Sequence, residues 1–191
     1  MKRKGFTIVE LLMVVAIIGI LLGIVTTAAS SSIKQARGQR ASACCTMLEQ
    51  GLATFYAQKG YWPGSIGSSI KSGNISARSN EEGTDSQSDP DKYVLNSSEI
   101  DSMIRDLITE TKQGNPMMDI SGLFVSRGQG EAGSKDYGLD FMDAVRGTKR
   151  SRKKMTTSEM HFGYPESDHG YFRRFKIVYS IPTDEMKVSK Q

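Results

Sequence analysis

A chain of 191 residues, 38% hydrophobic and with a formal net charge of +4, has room for one small compact core and a stem, not for two cores. Three of the positive charges are Lys2, Arg3 and Lys4; the remainder sits near +1, so the charge balance does not point to an anionic partner. The two cysteines, Cys44 and Cys45, are adjacent, which leaves the rest of the chain without a disulfide staple.

Taken in order, residues 1–5 read MKRKG, a short basic leader ending in Gly5. Phe6 to Ala29 follows, 24 residues with one ionisable side chain, Glu10. A helix crosses the hydrocarbon core with about 20 apolar residues, so this segment is long enough to span. Basic residues flank its start, and the nearest positive charge after it is Lys34. The positive-inside bias therefore predicts a cytoplasmic N-terminus, with the bulk of the chain outside.

Glu10 is the residue to explain. A charge at the centre of a membrane helix costs roughly 2.5–3.5 kcal/mol on insertion scales, less near an end, and usually has a partner. If the chain is cut after Gly5, Phe6 gains an α-amino cation about one helical turn from Glu10. That amine, or a neighbouring subunit's, could pair with the carboxylate. The other reading is a carboxylate near the interface that snorkels or protonates. Physics alone leaves both open.

The leader, Gly5, Phe6, Thr7, a carboxylate five residues past the glycine and the apolar run GFTIVELLMVVAIIGIL together resemble the prepilin signal of the type IV pilin and type II secretion pseudopilin superfamily. The resemblance covers about the first thirty residues. It implies cleavage between Gly5 and Phe6 by a membrane aspartyl peptidase that also methylates Phe6. It also implies Glu10 as the assembly carboxylate and a stem that becomes the core of a filament. The implied partners are other copies or other pilins, the peptidase and methylase, an inner-membrane assembly platform with its ATPase, and membrane lipid. Two competing readings are a secretory signal cut after Ala29, in the small-residue stretch Thr26 to Ala29, and a plain uncleaved anchor. The length of the apolar region and Glu10 within it argue against the secretory signal.

Beyond Ala29, Ile33, Ala36, Arg40, Cys44, Met47, Leu48, Leu52 and Phe55 recur at three and four, a helical stripe. Lys59-Gly60 and Pro63 signal its end. One helix over residues 6–59, about 80 Å at 1.5 Å per residue, is expected. The organisation is then a leader at 1–5, a membrane or filament-core helix at 6–29, its amphipathic continuation at 30–60, and a head at 61–191. Adjacent cysteines on a helix point about 100° apart, so Cys44 and Cys45 read as apolar helix residues. Gly19 and Gly23 form a small-xxx-small pair that would let helices approach closely. They are also the candidates for the loosening that many family members achieve with a proline.

In the head, Tyr61-Trp62-Pro63-Gly64 reads as an aromatic turn over the helix end. Residues 65–91, rich in Ser, Gly, Asn and Asp, read as a surface loop. Asp85, Asp89 and Asp91 could bind calcium but lack the spacing of a recognised loop. Residues 97–113 predict a helix capped by Ser97 or Ser98, with Ile100, Met103, Ile104, Leu107 and Ile108 on one face and Gly114 and Pro116 ending it. Leu123 to Val125 is a short strand candidate. Residues 127–136 are a Gly-rich turn region, and 137–145 is ambiguous between helix and strand.

The basic run Lys149, Arg150, Arg152, Lys153 and Lys154 would suit phosphate contacts, but no aromatics are interleaved, which argues against nucleic acid. FKIVYSI, with Phe175, Ile177, Tyr179 and Ile181 on one face, is the best strand. A turn at Pro182-Thr183-Asp184 and a return strand at Met186 to Val188 complete a hairpin like that of the pseudopilin head. Asp184 and Glu185 are too few to establish the calcium loop that major pseudopilins usually carry. His161 and His169 read as loop residues, without an HExxH motif.

The expected fold is α+β, a long N-terminal helix on a small head with a short antiparallel sheet. The expected function is a non-enzymatic subunit of a type II secretion pseudopilus in the bacterial inner membrane and periplasm, with no cofactor. The missing disulfide loop and the terminal hairpin favour this over a type IV pilin of a surface fibre. A monomeric membrane-anchored binding protein is the third reading.

Overall fold

The computed structural model describes residues 7–75, 91–114, 117–119, 122–128, 138–147, 154–166 and 171–190. The chain divides into two compact units, residues 1–36 and 37–191. Helix α1, Ile8–Lys59, belongs to both. It stops where the sequence places the stop, because Gly60 turns into the left-handed region at φ +74°, where glycine carries no Cβ penalty.

Within residues 37–191, α1 buries Ala41, Cys44, Cys45, Leu48, Leu52 and Phe55 in one core with Ile104, Leu107, Phe162, Phe175 and Ile177. The expected stripe is therefore correct from Cys44 onward and wrong in its first members. Ile33, Ala36 and Arg40 are exposed. Periodicity marks a face of a helix but not how much of that face has something to pack against. Glu49 accepts the Val188 N–H at 2.8 Å, and Arg40 pairs with Asp140 while its guanidinium lies 4.5 Å over the Phe124 ring. The Tyr61-Trp62 turn packs back on the helix end as expected, Tyr61 edge-on to Phe55 and Trp62 against Tyr56.

Residues 65–91 are not one loop. Helix α2 occupies Gly64–Lys71, burying Ile66 with Ile70 half-buried. Its low-propensity Ser/Gly composition is overridden by packing. Gly64 has φ +77°, and a Cβ there would stand 2.8 Å from the Met103 nitrogen. Its N–H donates to Asp106 at 2.8 Å. Helix α3, Ser97–Lys112, carries the predicted buried face. Its cap is Asn96, not Ser97 or Ser98: Asn96 Oδ1 accepts the Glu99 N–H at 2.9 Å and Glu99 Oε2 accepts the Asn96 N–H at 2.8 Å. That is a reciprocal capping box, which a serine one or two positions later cannot form with Glu99.

The sheet has strands β1 (Lys92–Val94), β2 (Phe124–Ser126), β3 (Leu139–Asp140), β4 (His161–Pro165), β5 (Phe172–Ser180) and β6 (Glu185–Lys190). Its order is β1-β5-β4-β2-β3, with β6 also paired to β5. Every pairing is antiparallel. The ambiguous stretch resolves into both states, β3 followed by helix α4 (Phe141–Arg146). β5 is the long central strand and buries Phe175, Ile177 and Tyr179 on the predicted face. Ile181 has left the strand and stands 39% exposed in the turn. The hairpin is as expected, with Ile177 opposite Val188 and Tyr179 opposite Met186. β1 had no sequence expectation, and β4 begins at His161, which was expected in a loop. Each is short, and neither shows enough alternation to separate it from loop.

Candidate functional site

The first 36 residues have a surface unlike the rest. Every described side chain there is exposed, and among Ile8 to Val25 the large apolar ones range from Ile8 at 80% to Ile18 at 48% exposed. Elsewhere among the described residues the exposed large hydrophobics are Ile33, Tyr61 and Ile181. A helix apolar around its whole circumference has no face suited to water; lipid or other helices must cover it. α1 is long and apolar enough to cross a membrane. At Gly19 and Gly23 an added Cβ would meet nothing within 4 Å, so both present bare backbone on the helix surface.

At the mouth of this helix Glu10 is tied to Thr7. Thr7 precedes the first helical residue, Ile8, and acts as N-cap. Its N–H donates to Glu10 Oε2 at 2.9 Å and its hydroxyl to the same oxygen at 2.8 Å. In return Thr7 Oγ1 accepts the Glu10 N–H at 3.3 Å. Threonine at the N-cap and glutamate three residues on is the capping-box pattern, and a carboxylate in the first turn also suits the helix dipole. T-I-V-E carries that signal in the sequence, beside the readings of Glu10 as a membrane charge and an assembly carboxylate. Gly5 and Phe6 lie outside the described residues.

The head holds two polar clusters that sequence reasoning did not assemble. Asp101 on α3 and Arg174 on β5 are 2% and 4% exposed. Arg174 Nη1 and Nη2 donate to Asp101 Oδ1 and Oδ2 at 2.6 and 2.9 Å. Asp101 also accepts the Phe162 N–H at 3.0 Å. His161, expected in a loop, begins β4, with Nδ1 2.8 Å from Asp101 Oδ2 and 3.2 Å from Arg174 Nη2. Helical spacing held part of this: Asp101 lies three before Ile104 and seven before Ile108, on the buried face. Arg174 gave no signal, because its burial depends on the strands beside it.

The second cluster centres on Asp184, at φ +49° in the β5–β6 turn. Its carboxylate accepts from Tyr56 Oη at 2.5 Å, Trp62 Nε1 at 2.8 Å and Tyr179 Oη at 2.9 Å. Burial alone would raise its pKa; the three donors outweigh that and hold it below the ordinary value. Burial, then the bond to Asp184, pushes the Tyr179 phenol up to about 12. The arrangement clamps the end of α1 to the terminal hairpin.

Cys44 and Cys45 are both free and buried, and Cys44 Sγ lies 3.1 Å from the Gly122 carbonyl. Burial raises both thiols, Cys45 to about 11. Among the described residues no three His, Cys, Asp or Glu side chains are grouped to hold a metal. Asp85, Asp89, His169 and four members of the basic run, Lys149, Arg150, Arg152 and Lys153, lie outside them.

Fold and stem together define the class: an α+β chain whose N-terminal helix is an exposed apolar stem beginning in a capped carboxylate. Residues 1–26 match the family model described as the prokaryotic N-terminal methylation motif. The match is consistent with the type IV pilin and pseudopilin superfamily and implies processing by a prepilin peptidase. No curated protein and no solved structure matches the chain.

Proposed function

We propose that this chain is a pseudopilin of a type II secretion system. It enters the inner membrane with residues 1–5 in the cytoplasm and the head in the periplasm. The peptidase cuts between Gly5 and Phe6 and methylates Phe6. A cytoplasmic ATPase, acting through the membrane platform, then extracts the subunit into a helical pseudopilus that drives protein export. The observation that carries this reading is the stem: an apolar helix exposed on all sides, under a prepilin-type methylation motif. In a bilayer lipid covers it; in a filament the stems of other copies would.

Glu10 sets axial register in this reading. A carboxylate out of water is costly unless paired, and the Phe6 amine of the next subunit supplies the charge. The subunit works as a structural element rather than a catalyst, and the reading invokes no cofactor. The type II assignment over a surface-fibre pilin is supported by the two cysteines lying together on α1, which leaves no disulfide loop in the head, and by the β5–β6 hairpin.

The test is the intact mass of the protein purified from membranes, followed by secretion assays. The expected mass lacks Met1–Gly5 and carries one added methyl, and deletion of the gene abolishes export of folded cargo. A chain starting near Ser30 would overturn the filament reading. Correct processing with normal export but lost surface fibres would replace the pseudopilus with a pilus.

A further inference from the structure

We infer that the solvent face of β1, β5 and β6 is a docking surface for a second copy of this chain, and that its occupant is that copy's acidic stretch at residues 81–91. The inference rests on the filament reading above and names one of its contacts between heads. Side chains alternate along a strand. Phe175, Ile177, Tyr179 and Val188 turn into the core, so Lys176 and Val178 on β5 share the opposite face. Val178 lies between Val94 of β1 and Lys187 of β6. One row on, Lys92 and Glu185 flank Ser180. Val94 and Val178 are half-buried, yet neither joins the core. Lys187 is exposed and Lys176 half-exposed. Among the described residues neither of these two lysines makes an ion pair. The face is thus a small apolar centre with lysines around it and one glutamate at a corner.

Charge complementarity and the path of the chain argue for the occupant. Between Arg78 and Lys92 the sequence carries Glu81, Glu82, Asp85, Asp89 and Asp91, and no basic residue. The stretch ends on the sheet at Asp91, whose carbonyl accepts the Ile181 N–H at 2.8 Å. It therefore joins the sheet on the β1 side, whereas Lys176 and Lys187 lie on β5 and β6. Acidic stretch and basic face occupy different places on one subunit. A contact between unlike patches of identical subunits is heterologous, and it propagates into a helix where it does not close a ring. A fibre needs contacts of that kind. Opposite charges fix the register of such a contact, and like charges in the same place oppose it. The basic run at 149–154 is the competing counter-charge, and the test separates the two.

The test uses full-length subunits in cells with the secretion machinery, and reads mature mass and fibre yield. One subunit has the face reversed, Lys176→Glu with Lys187→Glu. A second has the stretch reversed, Glu81→Lys with Glu82→Lys and Asp85→Lys. A third has the run reversed, Lys149→Glu with Arg150→Glu. The first two should be processed to the same N-terminus, and each alone should lose about tenfold of the fibre yield. Expressed together they should recover most of it. In an alternating fibre the reversed stretch of one copy meets the reversed face of the next, and the following contact is native on both sides. A contact within one chain would leave each copy with its own clash and give no recovery. Lys176→Gln with Lys187→Gln removes the charge without reversing it and should lose yield to a smaller extent, which keeps the face testable if the reversed head does not fold. Full yield from the reversed or neutral face, no recovery on mixing, or recovery when the stretch-reversed subunit is mixed with the run-reversed one overturns the inference. Absence of fibres from the unmodified chain would instead remove the filament reading, a separate failure.

Discussion

Arg174 and Asp101 meet face to face inside the head, Nη1 on Oδ1 at 2.6 Å and Nη2 on Oδ2 at 2.9 Å, with both residues nearly sealed from solvent. The pair ties α3 to β5, and through the Phe162 N–H and His161 it reaches β4. Removing one partner of a buried pair strands the other charge, a loss of about 3–5 kcal/mol. Arg174→Met and Asp101→Leu should each destabilise the head by that order in denaturant titrations. The double variant should be no worse than either single one, because neither charge is stranded. Additive losses would show that the two side chains do not act as a unit.

The Asp184 clamp predicts a stability profile that falls at both ends of the pH range. Asp184 has a folded pKa below its ordinary 3.8; its contribution is present above that value and is lost as pH falls through the depressed one. Tyr179 is raised from 10 to about 12; its contribution is present below pH 10 and is lost as pH rises toward 12. Asp184→Asn should flatten the acid limb and lower the Tyr179 ionisation midpoint, read by phenolate absorbance. A tyrosine titration identical to that of the unmodified chain would refute the clamp.

The cap of α3 offers a narrower test. Asn96→Ala removes the acceptor for the Glu99 N–H and should cost about 1 kcal/mol. Ser97→Ala should stay within about 0.5 kcal/mol, as a surface change away from the capping bonds. Equal losses for the two would return the cap to the serine.

Cys44 and Cys45 should resist alkylation in the folded chain. Burial holds both thiols above their ordinary pKa, and the thiolate is the reactive form. Iodoacetamide at neutral pH should label them at least about tenfold faster after unfolding. Equal rates before and after would show that the α1 face carrying them is open to solvent.

Much of this architecture was legible before any coordinates. The α1 stop at Lys59-Gly60, the buried face of α3 and the alternation of β5 come from local periodicity and backbone chemistry, which a sequence carries in full. So does the stem, because 24 residues with a single charge constrain what can surround them. What the sequence left unread was decided by partners distant in the chain. α2 forms from a poor helix sequence because Gly64 fits against Met103 and Asp106. β4 becomes a strand because β2 and β5 pair with it on either side.

The same division runs through the sites. Sequence alone singled out Glu10, since a carboxylate in an apolar run is visible in one dimension. It also held the Thr7–Glu10 spacing, to which the structure gives three hydrogen bonds. Asp101 with Arg174, and Asp184 with Tyr56, Trp62 and Tyr179, were decided by tertiary structure alone. Their partners lie 73 residues apart in the first pair and up to 128 in the second. No local pattern encodes which buried charge will meet which donor, because a low-dielectric interior rewards the pairing only after the chain has closed around it.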